Sequence, residues 1–199
     1  MNRGRIGILI IGSYLTILLI GVSSGSANAQ VKLVKPAGGG TIVINKAGSY
    51  FLSSNLSFAT PGAAAIRIAA GVNNVTINLN GFAIVGSASG STTVGINAPT
   101  NSGIMIFNGT ISKIGGKGIV LGSNSTVAAV QLIGNLGDGL TCGPGCLVTA
   151  NIINNNTGTG LVFSDGTSGY QNNIISGNGA TVTNGTNMGH NVCNTALCP

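Results

Sequence analysis

Carboxylates are nearly missing from this chain: Asp138 and Asp165 are the only two acidic side chains among 199 residues. Glycoside hydrolysis ordinarily takes a pair of them flanking the scissile bond. Calcium takes six to eight oxygens, commonly including several from carboxylates. Tryptophan is absent, and the aromatic set is three Tyr and five Phe. The lone histidine, His190, has no second His at metal spacing and no serine elbow beside it, so it reads as structural or surface. Basic residues are few and scattered. Nucleic-acid binding wants a concentrated basic stripe, often with stacking aromatics, and neither is present. The formal net charge of +6 therefore reflects a shortage of acids. Disordered chains are also poor in charge balance, but they lack hydrophobic residues. Here 43% of residues are hydrophobic and β-branched ones recur in phase, so a folded chain is expected.

The start of the chain reads as an address. Arg3 and Arg5 precede an apolar run, Ile6 to Val22, and a small polar stretch ending Ala27-Asn28-Ala29. That order fits a secretory signal over 1–29, cleaved before Gln30, better than a retained anchor. Localisation is then secreted, periplasmic or cell-surface, with no membrane attachment after cleavage. Residues 30–199 suit one domain, and a body of that size buries about 68–70% of its unfolded surface. Four cysteines follow, Cys142, Cys146, Cys193 and Cys198. An even count in an exported chain reads as two disulfides, and three pairings are possible. Proximity favours Cys142–Cys146, around Gly143-Pro144-Gly145, and Cys193–Cys198. Zinc is disfavoured by the spacing.

What the chain has in quantity is repetition. Ile106, Val127 and Val148 recur at one constant interval, and so do Ile111, Leu132 and Ile153, and Gly118, Gly139 and Gly160. Ile119, Leu140 and Leu161 follow those glycines in the same step. A fixed period of about 20 residues marks a solenoid. One extra residue in the turn after Phe163 moves the next landmarks to a step of 22, Val148 to Tyr170 and Ile153 to Ile175. Asn135, Asn156 and Asn178 keep the same register and should form a hydrogen-bonded ladder at a corner. Lys117 and Asp138, one such period apart, should stack as an ion pair across coils. Before Ile106 the period is looser. Ile66 and Ile68, then Val75, Ile77 and Leu79, alternate as half-buried strands. A Ser/Gly-rich insertion lies around Gly86 to Thr93. Residues 30–58 read as an N-terminal cap segment with short strands, 59–182 as coils, and 183–199 as a disulfide-closed C-terminal cap.

Several stretches carry a family resemblance. These are Asn-Val-Thr-Ile-Asn-Leu-Asn-Gly-Phe at 74–82, Ile-Phe-Asn-Gly-Thr-Ile at 106–111, Gly-Tyr-Gln-Asn-Asn at 169–173 and Gly-His-Asn-Val-Cys at 189–193. With the Asn-rich corners, they resemble secreted bacterial right-handed parallel β-helix repeat proteins. The wider likeness is to the pectate-lyase-like superfamily, including NosD-type repeats, and it covers about residues 48–199. The resemblance implies an all-β, single-stranded right-handed parallel β-helix with coils of about 21 residues. It implies little about activity, because that superfamily holds lyases, hydrolases, epimerases, adhesins and noncatalytic scaffolds.

The residues point away from catalysis. Asp138 and Asp165 fall at different positions of the coil and should not meet. A polysaccharide lyase would need a base and a cation. Lys113 is the candidate base and Asp165 the candidate calcium ligand, with calcium a cofactor only in that case. Phe163 and Tyr170 flank the Asp165 turn as a candidate ring platform for a ligand, although Tyr170 also falls on the Val148 core column. The leading expectation is an exported noncatalytic module that contacts polysaccharide or another envelope component, with no other cofactor. The alternative is a polysaccharide lyase or related carbohydrate-active enzyme. A regular exposed Thr array, as ice binding would need, is not found.

Overall fold

Side chains alternate in and out along short strands, and each strand lies parallel to its counterpart one coil away. The structure is a computed structural model that describes residues 30–34, 40–88 and 92–198. The expected leader lies outside the described residues. What is described is strand, turn, bend or irregular backbone, with no helix. Each coil has three walls. The first is a seven-stranded parallel sheet running Ile42–Ile44, Ala64–Ile68, Val94–Ala98, Ile119–Leu121, Leu140–Cys142, Thr159–Phe163 and Ala180–Thr183. The second and third walls are joined where Met105–Ser112 and Thr126–Ile133 run through the bend between them. This is a parallel β-helix.

Three inward columns fill the core. Ile96, Ile119, Leu140 and Leu161 are aligned on the first wall. Ile77, Ile106, Val127, Val148 and Tyr170 are aligned on the second. Ile84, Ile111, Leu132, Ile153 and Ile175 are aligned on the third. All are buried. The longer step after Phe163 appears as the pairs Val148 with Tyr170 and Ile153 with Ile175. The glycine column has a steric cause. A Cβ on Gly118 would sit 2.6 Å from the Gly139 carbonyl oxygen, and one on Gly139 would sit 2.6 Å from that of Gly160.

The corners bend through left-handed residues. Asn108, Ala129, Ala150 and Asn172 turn the second wall into the third with φ of 62°, 53°, 57° and 56°. Asparagine tolerates that region better than most side chains, and alanine pays for it.

The coils begin earlier and end later than the sequence suggests. Ile42 aligns with Ile66, Tyr50 with Ile77 and Leu56 with Ile84, so residues 42–57 form a full coil and not a cap. Each of those three steps is longer than the repeat of the later coils, and the excess hides the register. Among the described residues, the strand Val31–Leu33 alone lies beyond, paired with Tyr50–Leu52. At the other end Thr186–Asn187 and Val192–Cys193 still stack in parallel on the coil before them. The closing element is Ala196–Leu197, antiparallel to Val192–Cys193. Cys193–Cys198 ties it down, and Cys142–Cys146 pins a corner four coils along the first wall's stack.

Candidate ligand-binding face

Buried polar side chains are confined to corners, where they satisfy backbone. Asn135 Nδ2 donates to Asn156 Oδ1 at 2.8 Å, and Asn156 Nδ2 to Asn178 Oδ1 at 2.8 Å. The same oxygens accept from the backbone N–H of Asn135 and Asn156 at 3.1 and 2.9 Å. A second ladder runs down the bend between the second and third walls. There Asn151 Nδ2 reaches Asn173 Oδ1 at 3.0 Å, and Asn173 Nδ2 reaches Asn191 Oδ1 at 2.9 Å. Sequence reasoning missed it because Asn173 to Asn191 is a step of 18, off the repeat. Both ladders are occupied with holding turns.

The two carboxylates are also spoken for. Asp138 Oδ2 lies 3.0 Å from Lys117 Nζ. Its Oδ1 accepts from Thr159 N at 2.9 Å, so the side chain bridges three successive coils. Asp165 Oδ1 accepts from Thr167 N at 3.0 Å and Thr167 Oγ1 at 2.7 Å, closing its own turn. Lys113 is exposed at the corner where the third wall ends, with φ of 54°. Asp165 sits at the corner between the first and second walls. The fold therefore does not bring the two lyase candidates, Asp165 and Lys113, to one corner. His190 is exposed near the C-terminal end, with φ of 56°. Among the described residues no three His, Cys, Asp or Glu side chains gather as a metal site would require.

Phe163 and Tyr170 do not form an exposed platform. Both point inward and are buried, with ring centroids 6.0 Å apart and planes at 21°. The alternation Leu161-Val162-Phe163 puts Phe163 on the same side as the core residue Leu161, and Tyr170 continues the Val148 column. Burial pushes the Tyr170 phenol up from its ordinary value of 10.0.

Rings do reach solvent on the second wall. Phe51 aligns with Asn78, and Asn78 with Phe107, so two outward phenylalanines stand two coils apart. At the strand spacing of about 4.7–4.9 Å, they are separated by about 9.4–9.8 Å along the axis. Both are partly exposed. Asn78 Oδ1 accepts from Asn80 N at 2.8 Å and from Asn108 Nδ2 at 3.3 Å, which fixes the amide at its place in the row. The neighbouring outward column reads Ser49, Thr76, Met105, Thr126 and Leu147. Neither column carries a charge from the Gly48–Leu52 strand onward, and Lys32 continues the first column beyond Phe51. The steps from Phe51 to Asn78 and from Asn78 to Phe107 both exceed the regular period, which kept this pair of rings from view in the sequence.

No protein-family model matches the chain, and no curated protein matches its sequence. Among solved structures, the A-module of a mannuronan C-5 epimerase from Azotobacter vinelandii is similar, with 13% identity and a TM-score of 0.46. The likeness covers 79% of this chain, which spans 65% of the length of that one. The assignment to the parallel β-helices rests on the strand register described above.

Proposed function

We propose that this protein is an exported, noncatalytic β-helix module that binds an uncharged polysaccharide along its second wall. The observation that carries this reading is the outward row Phe51, Asn78 and Phe107. Rings offer apolar faces to sugar C–H groups, and a fixed amide and flanking hydroxyls offer hydrogen bonds. Over Phe51 to Phe107 the row carries no charge, and Lys32 meets it only at the end beside Phe51. Such a row suits a ligand without charge, since an unpaired ion would lose its hydration. Two disulfides and the leader-like start support export to a cell surface, periplasm or medium. Residues 30–199 act as a single domain in this reading.

Affinity electrophoresis or calorimetry on neutral glucans, with uronate polymers alongside, tests it. Retention by a neutral glucan, weakened at least about tenfold by Phe51→Ala or Phe107→Ala, is expected from the loss of one stacking ring. Unsaturated products from a uronate polymer, lost in Asp165→Ala or Lys113→Ala, would instead establish the lyase.

A further inference from the structure

The two ends of the solenoid are finished differently on different walls. The sheet of the second and third walls carries an additional strand at each end, Val31–Leu33 at one and Ala196–Leu197 at the other. The first wall carries none among the described residues. Its sheet simply ends at Ile42–Ile44 and at Ala180–Thr183. We infer that the free edge of Ile42–Ile44 is a docking site for an extended acidic peptide segment of a partner protein, which adds there as a further strand.

No strand among the described residues pairs with that edge, so its backbone is available. In a parallel ladder a residue's N–H and C=O point to the same neighbour, and successive residues alternate. Ile44 O accepts from Ala69 N at 2.8 Å, so Ile44 bonds into the stack. Val43 therefore turns its N–H and C=O toward the free edge. Strand addition to such an edge supplies main-chain affinity, and adjacent pockets supply the side-chain choice.

The pocket is present as well. A cleft of about 530 Å³ opens beside the edge, lined by Val31, Leu33, Val34, Ile42, Ile44 and Tyr50. Val31 and Val34 are 53% and 65% exposed, so apolar surface is left to cover. Charge decides what covers it. Lys32 and Lys46 line the same cleft, and Arg67 aligns with Val43 on the neighbouring strand. No acidic residue precedes Asp138 in the chain. The end thus presents three cations without a carboxylate partner among the described residues. A peptide alternating apolar and acidic side chains would fill the cleft with one set and meet the cations with the other. A second copy stacked end to end fits less well, because the chain has no acidic side chain after Asp165 to bring to this end.

The test is fluorescence anisotropy on the purified protein with a labelled peptide that alternates valine and glutamate. Its controls are the same peptide with lysine for glutamate, and phosphatidylglycerol vesicles. Saturable binding of the glutamate peptide is expected, at least about tenfold tighter than the lysine peptide and weakening as salt rises. Val43→Pro removes the N–H at the free edge while sparing the bonds to Ala64–Ile68, and should lower affinity about tenfold or more. Lys32→Glu with Lys46→Glu, both exposed and safe for the fold, should do the same and favour the lysine peptide. Circular dichroism checks that Val43→Pro folds, and the charge variants decide the matter if it does not. Equal binding of the two peptides, or full affinity in the charge-reversed protein, would overturn the proposal. So would binding of the vesicles without the peptide, or end-to-end self-association that the peptide fails to compete.

Discussion

Lys117 and Asp138 are one full coil apart in the chain, and their charged atoms are 3.0 Å apart in space. The pair straddles one coil boundary, and the second carboxylate oxygen crosses the next to Thr159 N. The two side chains are therefore unequal partners. Lys117→Ala removes a half-exposed ion pair, which should cost about 0–1 kcal/mol. Asp138→Ala also strands the Thr159 N–H and should cost about 1–3 kcal/mol. Urea denaturation of both variants checks the order. An Asp138 variant as stable as the Lys117 variant would show that the second bond contributes nothing.

Asn156 holds the middle of its ladder. Truncation to Ala removes the acceptor of Asn135 N and Nδ2 and the donor to Leu132 O. Each buried group left unmade costs about 1–3 kcal/mol, so a total loss of about 3 kcal/mol or more is expected. Asn178→Ala, at a less buried rung, should cost less. Denaturation midpoints at constant m-value distinguish them.

Leu132 lies fully buried on the third-wall column between Ile111 and Ile153. Leu132→Ala should cost about 2–5 kcal/mol through the cavity it leaves. Leu132→Asp places an unpaired charge there and should abolish folding. Protease resistance of the Asp variant equal to that of the parent would contradict the column.

Tyr170 makes the fold sensitive to alkali. Its folded pKa is raised above the unfolded value of 10.0 because burial penalises the phenolate. An unfolded chain therefore releases this proton before the folded one does. The stabilisation is fully present below the unfolded pKa and is lost as pH rises through the folded one. Thermal melts should fall as the pH is taken above the ordinary phenol value, and Tyr170→Phe should blunt that fall. An identical alkaline decline in the variant would assign it to other groups.

The regular half of this molecule was legible because a single extra residue is all that interrupts the count there. From Ile106 to Phe163 the inward residues and the glycine column obey one step, and the parallel coils follow from it. The extra residue then carries the first Asn ladder and the next landmarks to a step of 22. The N-terminal coils were obscured by loops between their strands. Ile66 and Ile96 share a column, yet they lie well over one regular coil apart in the chain. The same interruption concealed Phe51 and Phe107, whereas the misplaced pair Phe163 and Tyr170 was a matter of side. Strand alternation turns Phe163 inward, and the core column claims Tyr170. Loop length lies on the outside of a coil, where packing does not constrain it, so sequence spacing alone cannot recover it.

The constant step also bears on how the chain acquires its shape. Each layer touches only its neighbours, so in the regular region the loop to be closed for a new layer stays one period long however tall the stack grows. Toward the N-terminus the corresponding loop is longer, as between Ile66 and Ile96, and closing it costs more entropy. Order therefore nucleates most cheaply among the later coils and spreads backward along the axis. The first wall's free edge at Ile42–Ile44 is then among the last surfaces to be completed.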